Sequence, residues 1–210
     1  MNTLDYIANK YKLDLATTSP IEIPNVGRNN LAQWLHELDF KVGVEVGVAS
    51  GEYSEILCKA NPQMKIYGID PWIPYKGYRD YTRIKTFERL YQEAVDRLAK
   101  YPRYKFIREF SIDALRRFED NSLDFIYIDA NHQKPYVSQD IEQWSKKVRK
   151  GGIVSGHDFL KKKRLHIDVK EAVSKYVKEN NIRHWFLLGL NAKIPGVIRD
   201  SSRSWMWVKP

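Results

Sequence analysis

Lys41-Val-Gly-Val-Glu-Val-Gly-Val-Ala-Ser-Gly-Glu-Tyr-Ser54, followed by Lys65-Ile-Tyr-Gly-Ile-Asp70, decides the fold of this chain. Small and apolar residues alternate from Val42 to Val48, the pattern of a parallel strand covered on both faces. Gly47 and Gly51 bracket a turn, where missing side chains let a ligand approach the backbone. A helix from about Gly51 to Ala60 stops at Asn61-Pro62. The next strand ends at Asp70, a position suited to accepting hydrogen bonds from ribose hydroxyls. Strand, glycine turn, helix and second strand together form a nucleoside-binding half of an open α/β sheet.

The glycine pattern separates ligand classes. A dinucleotide site uses Gly-x-Gly-x-x-Gly, whose turn and helix amino-terminus hold a pyrophosphate. Here Val48 and Ala49 stand where a tight phosphate turn wants glycine, and Glu45 adds a negative charge. Both facts disfavour phosphate and favour a ligand with a ribose and a positive centre, as in S-adenosylmethionine (SAM). A plain α/β domain in which Glu45 caps a neighbouring backbone group is the simpler alternative.

With 210 residues and 43% hydrophobic content, the chain supports one domain with a full core. It has no apolar run of membrane-spanning length, and Met1-Asn-Thr-Leu-Asp5 lacks a signal-peptide pattern. The lone Cys58 excludes an internal disulfide, so a reducing cytoplasm is the expected setting. The net charge of +9 is carried partly by Lys146-Lys147, Arg149-Lys150 and Lys161 to Arg164. Such clusters suit phosphate-bearing partners, although solvated loops and helix ends are their commoner setting. Nucleic acid is therefore an alternative partner and a membrane is not. A homo-oligomer is compatible with the sequence.

Strands and helices alternate along the rest of the chain. A helix is expected over residues 29–38, and Ser19 to Pro24 reads as an irregular lead-in. Residues 72–100 read as an inserted lid loop, rich in Pro, Gly and Tyr, followed by a helix from about Tyr81. Further strands are expected at Tyr104–Phe110, Asp124–Ile128, Ile153–Ser155, Trp185–Leu188 and Ser204–Val208, with Gly151-Gly152 ending the helix before the third of these. That makes seven strands in a mostly parallel sheet joined by right-handed crossovers. Residues 29–210 would be the domain and residues 1–28 an extension. Ligands bind such sheets at the carboxyl ends of the strands, and Glu45, Asp70, Ser111, Asp129 and His157-Asp158 all fall on that edge.

Glu45-Val-Gly47-Val-Ala-Ser-Gly51, Asp70-Pro-Trp72, Tyr127-Ile-Asp129-Ala-Asn-His132 and Lys150-Gly-Gly-Ile-Val-Ser-Gly156-His-Asp158 together resemble class I SAM-dependent methyltransferases. The similarity is to the small-molecule and sugar O-methyltransferase branch, which includes macrolide-sugar enzymes, with catechol-type enzymes more distant. It covers about residues 30–210 and implies a Rossmann-like fold whose last strand, at Ser204 to Pro210, is antiparallel. It implies that Glu45, Gly47, Gly51 and Ser54 surround the methionine part of SAM and that Asp70 holds the ribose. Ser111, Ile112 and Asp113 would border the adenine, Trp72 would flank the adenosine or the acceptor, and Asp129 would reach the reacting end. A hydrophobic plug beneath the following loop is an equal reading of Trp72. Asp129, Asp158 and His157 match positions that hold a divalent cation in some relatives, Mg²⁺ or Mn²⁺. Phe159 replaces an asparagine ligand of the catechol-type enzymes.

Methyl transfer to a hydroxyl of a small, sugar-like acceptor needs positioning and removal of the acceptor proton. His157 is the favoured base and His132 the second, with Asp129 completing the catalytic set. Tyr75, Tyr78 and Tyr81, with Lys76 and Arg79, suit a lid that stacks on a ring. Tyrosines packed on the helix behind them would explain the same pattern. A SAM enzyme acting on nucleic acid or a polymer, and a non-catalytic nucleotide-binding protein, are the alternatives.

Overall fold

The alternation in Leu123–Ile128 sends Phe125 and Tyr127 to one face of a sheet and Ile126 and Ile128 to the other. All four are buried, so helices cover both faces. In the computed structural model, which describes residues 2–75, 78, 83–162, 164 and 166–210, the chain builds eight strands and seven α-helices. They are α1 (Thr3–Tyr11), β1 (Ile21–Ile23), α2 (Arg28–Glu37), β2 (Val42–Val46), α3 (Glu52–Ala60), β3 (Lys65–Ile69), α4 (Ile84–Leu98) and β4 (Tyr104–Ile107). There follow α5 (Ser111–Ala114), β5 (Leu123–Ile128), α6 (Tyr136–Lys147), β6 (Val148–Gly156), α7 (Val169–Glu179), β7 (Trp185–Leu188) and β8 (Trp205–Val208).

The strand order is β1-β7-β8-β6-β5-β2-β3-β4. All neighbours run parallel except β8, which is antiparallel to both β6 and β7. The core cluster on one face draws on α1 to α4, and that on the other on α5, α6 and α7. Cys58 is buried on α3, and burial pushes its thiol up to about 12.

Three details differ from the sequence reading. The lead-in at Ser19 to Pro24 contains an edge strand, β1, so the sheet has eight strands rather than seven. Ile21 and Ile23 are buried in the core, a pairing partner that local sequence does not reveal. Gly151-Gly152 does not precede a strand but lies inside β6. A Cβ on Gly152 would stand 2.6 Å from the Asp124 carbonyl oxygen, where the β5–β6 register shifts. The third expected strand is shorter, ending at Ile107. The expected start of the α4 helix at Tyr81 lies outside the described residues, as do Lys76 and Arg79.

Parallel register aligns the site. Val46 pairs with both Ile69 and Ile128, Ile69 with Ile107, and Ile128 with Gly156. The next residue of each strand completes the ladder: Gly47 N–H donates to Ile69, Asp70 to Ile107, Asp129 to Val46 and His157 to Ile128, at 2.7 to 3.2 Å. One row along the carboxyl edge thus holds Gly47, Asp70, Asp129 and His157. Its midpoint is the β2–β5 boundary, where the strand order reverses and a ligand crevice opens.

Candidate active site

The turn after β2 has little glycine and is held by side chains. Ala49 adopts a left-handed φ of 49°, which costs a non-glycine residue roughly 1–2 kcal/mol. Asp70 Oδ2 accepts from the Val48 and Ala49 N–H groups, each at 3.1 Å. Trp72 donates through Nε1 to the Ala49 carbonyl at 2.9 Å, and its own N–H reaches Asp70 Oδ1 at 2.9 Å. Trp72 is fully buried against Tyr91 and Phe106, so it is the plug rather than a flank of the cavity. Burial raises the Asp70 carboxyl, and the three N–H donors oppose that rise.

Gly47 and Gly51 are required for packing. Gly47 has φ of 92°, and a Cβ there would overlap the Asp129 carbonyl and stand 2.7 Å from Ala130 Cα. Gly51 has φ of 76°, and a Cβ there would press on Leu98 of α4 at 3.0 Å. Gly47 therefore lets β2 lie against the end of β5, which is what brings Asp129 to the crevice.

Two cavities meet at Gly47, Ala49, Tyr78, Asp129 and Ala130. The first, about 400 Å³, has mainly apolar walls. Tyr75 stacks on Tyr78 with centroids 5.0 Å apart and meets Phe110 and Tyr136 edge-on. Ser111, Ile112 and Asp113 line this cavity, with Asp70 on its wall. Burial of Tyr75 pushes its hydroxyl up to about 12, although Asn131 Nδ2 donates to it at 3.3 Å. Tyr81, the third tyrosine expected here, lies outside the described residues.

The second cavity, about 460 Å³, is polar and carries Arg28, Glu45, Glu52, Glu93, Asp129 and His132 on its wall. Glu45 is only 2% exposed. Burial, with Asp129 and Asp70 adding repulsion, raises it to about 8 against the hydrogen bond from Ser54. Ser54 is fully buried and also shares a 3.0 Å hydrogen bond with the Tyr104 hydroxyl. It supports Glu45 from behind and lines neither cavity.

At the junction, His132 Nε2 lies 3.2 Å from Asp129 Oδ1 and 3.1 Å from Asp158 Oδ2. The three residues place one ligand atom each within 4.8 Å of one another. His157, expected to join this cluster as ligand and base, stands at its margin. Its Nδ1 is 3.7 Å from Asp158 and 4.0 Å from Asp129, and it lines neither cavity. Its peptide is tied down on both sides, since its N–H donates to Ile128 and its carbonyl accepts from Trp205 Nε1. His132, in the longer loop after β5, is the histidine that turns into the crevice. Burial would raise Asp158, but the neighbouring His157 and His132 rings hold its carboxyl well below the usual range. Phe159 is buried against Trp185 and offers no ligand atom.

Sequence reasoning missed Arg28, Asn131, Tyr136 and Asp140. Asp140 is 4% exposed on α6, accepts from Ser111 Oγ and lines the first cavity, and burial raises it to about 7. Trp144 Nε1 in turn donates to Ser111 at 2.8 Å. An acid on the stripe of Val137, Ile141 and Trp144 is a legible signal, because a buried charge needs a reason. Arg28 carries no such signal. At least one residue of each basic cluster is paired locally: Lys147 with Asp120 at 2.8 Å, Arg149 with Asp124 at 2.6 Å, and Lys161 with Glu171. Among the described residues no helix is long and apolar enough to cross a membrane.

A family model described as a methyltransferase domain matches residues 44–159. No curated protein matches the chain by sequence. Among solved structures, TomG, an O-methyltransferase from Streptomyces achromogenes involved in tomaymycin synthesis and solved with SAM, superposes with a TM-score of 0.59 at 14% identity, covering 99% of this chain and 90% of its own. The O-methyltransferase from Bacillus cereus, in complex with S-adenosylhomocysteine (SAH), gives 0.58 at 13% identity over 99% and 89% of the two chains. Spermidine synthase from Thermotoga maritima gives 0.55 at 12% identity over 87% and 57%. At such identities the likeness is one of fold.

Proposed function

The chain belongs to the methyltransferase-domain family whose model spans its residues 44–159, and from that premise we propose a SAM-dependent O-methyltransferase that acts on a small, hydroxyl-rich acceptor such as a sugar. The observation that carries this reading is the meeting of an apolar, aromatic-walled cavity with a polar, acidic one at Asp129. The first suits an adenosine, stacked beside Tyr75 and Tyr78 and bordered by Ser111, Ile112 and Asp113. Asp70 keeps one lone-pair site, on Oδ1, for a ribose hydroxyl beyond its three bonds to backbone N–H groups. Glu45 and Gly47 border the space for the methionine part. SAM and SAH in the TomG and Bacillus cereus structures support this choice of donor. The acceptor would meet the donor at Asp129 and His132, and polar groups there favour a hydroxylated acceptor over an apolar one. The single buried cysteine supports a reducing, cytoplasmic setting.

Bound SAM supplies a methyl group already activated on a sulfonium, so the protein must position the acceptor and manage its proton. Asp129, His132 and Asp158 are assigned that task. His132 Nε2 lies 3.1 and 3.2 Å from the two carboxylates, a set of one nitrogen and two oxygen donors close enough that the three residues would hold a divalent cation together. Mg²⁺ or Mn²⁺ bound by these residues would supply Lewis-acid assistance to removal of the acceptor's proton. The same distances are those of an imidazole hydrogen-bonded between two carboxylates. In that second reading the bonded ring is the imidazolium: neutral His132, with Nε2 unprotonated, takes the acceptor proton, and the N–H so formed is shared by the Asp129 and Asp158 carboxylates.

The test is methyl transfer from labelled SAM to a panel of hydroxylated small molecules, with and without EDTA. Loss of transfer in EDTA, restored by Mg²⁺ or Mn²⁺, supports the metal site. Transfer that survives EDTA but falls about 100-fold or more in His132→Gln assigns the base. A protein that binds neither SAM nor SAH in calorimetry has no such function.

A further inference from the structure

Arg28, the first residue of α2, is held in place while its guanidinium is left without a hydrogen bond. Its N–H donates to Asp200 Oδ2 at 2.8 Å, and its carbonyl accepts from the Tyr53 hydroxyl at 3.0 Å. The Asp200 contact needs glycine at position 27, where a Cβ would lie 2.6 Å from Asp200 Oδ1. The guanidinium sits 4.9 Å from the centre of the Tyr53 ring, a cation–π seat that leaves its edge donors open. Tyr53 is itself packed on Tyr127, with centroids 4.4 Å apart. Among the described residues the guanidinium makes no hydrogen bond, and the Asp129 carboxylate stands 3.7 Å away, an ion pair beyond hydrogen-bonding range.

The rest of the acidic cavity narrows what Arg28 can take. The other arginine on that wall, Arg89, is largely exposed and already paired with Glu93 at 2.5 Å. In the turn, the N–H groups of Gly47, Val48, Ala49 and Gly51 all have acceptors, so they are not available to an anion. Of the two arginines on this wall, Arg28 is the one whose guanidinium keeps its donors open among the described residues. Glu45, a buried acid on the same wall, offers a carboxyl group that an ammonium beside it would ionise. One cavity therefore presents a planar cation and a carboxyl group, the complement of an α-amino acid zwitterion.

We propose that Arg28 binds the α-carboxylate of the donor's amino-acid part while Glu45 receives its ammonium group. The inference rests on the SAM reading above. It makes Arg28, outside the matched family region, a donor-binding residue contributed by the N-terminal part of the chain.

The experiment compares SAH with its decarboxylated analogue by calorimetry, in the wild type, Arg28→Gln and Arg28→Lys. The wild type is expected to prefer SAH by about tenfold or more, the effect of a charge-assisted pair. Arg28→Gln should bind the two ligands equally, and Arg28→Lys should keep part of the preference. An unchanged preference in Arg28→Gln would overturn the assignment. So would an equal weakening of both ligands, which marks a structural role, or an effect confined to the acceptor's KM. Binding of neither ligand to the wild type removes the donor reading itself, and is told apart from those outcomes because it needs no variant.

Discussion

Three carboxylates at the crevice have different settings. Asp70 is satisfied by three backbone donors, Glu45 by one hydroxyl, and Asp158 by its histidine neighbours. Glu45, raised to about 8, carries a proton in most molecules at pH 7. An ammonium group placed beside it favours the ionised form, so donor binding at pH 7 should release about one proton. Affinity for SAH should accordingly rise as pH rises toward 8. Calorimetry of SAH binding in phosphate and in Tris measures this release, because the two buffers take up protons with different enthalpies. Equal apparent enthalpies in both buffers would show that Glu45 is not the ammonium partner. Glu45→Gln should abolish the buffer dependence.

Among the elements, the β2–α3 turn does the positioning. Its left-handed Ala49, its Asp70 bridge and its Trp72 plug lock it to β3. The missing Cβ of Gly47 seats it against β5. Gly47→Ala combines a positive φ with a clash against backbone that cannot rotate away, so it should destabilise the fold by about 3 kcal/mol or more. Urea denaturation reads the effect, and a loss below about 1 kcal/mol would mean that the turn relaxes and the close approach is not required. This turn was only half legible in the sequence. The two glycines and the strand before them were visible, and so was a carboxylate on the next strand. That Asp70 braces the turn was not, because the bond joins residues more than twenty positions apart.

At the scale of the whole molecule, two buried acids tie stability to pH. Asp140 rises from 3.8 to about 7 on folding because it is buried. Between those values the unfolded chain has lost a proton that the folded chain keeps, so stability falls as pH rises through that window. Above about pH 7 the whole cost is present, roughly 4 kcal/mol at ~1.4 kcal/mol per pKa unit. Glu45 contributes in the same direction up to about 8. Asp140→Asn should raise the melting temperature at pH 8 and shrink the difference between pH 5 and pH 8. An unchanged difference would show that Asp140 is not the group responsible.

Hydrophobic period, glycine placement and the residues ending each strand were enough, by themselves, to specify an open α/β sheet with its polar groups along one edge. Period-two and period-3.6 patterns report burial locally, and a parallel sheet delivers every strand end to the same side. The tertiary structure alone decided which of those groups meet. It recruited Ile21–Ile23 as an eighth strand, turned His132 rather than His157 into the crevice, and buried Asp140 beneath Ser111. It also set Arg28 on Tyr53 above the acidic cavity. Each of these depends on contacts between residues far apart in the chain, and on the direction a loop takes once its ends are packed. Local pattern carries no record of either.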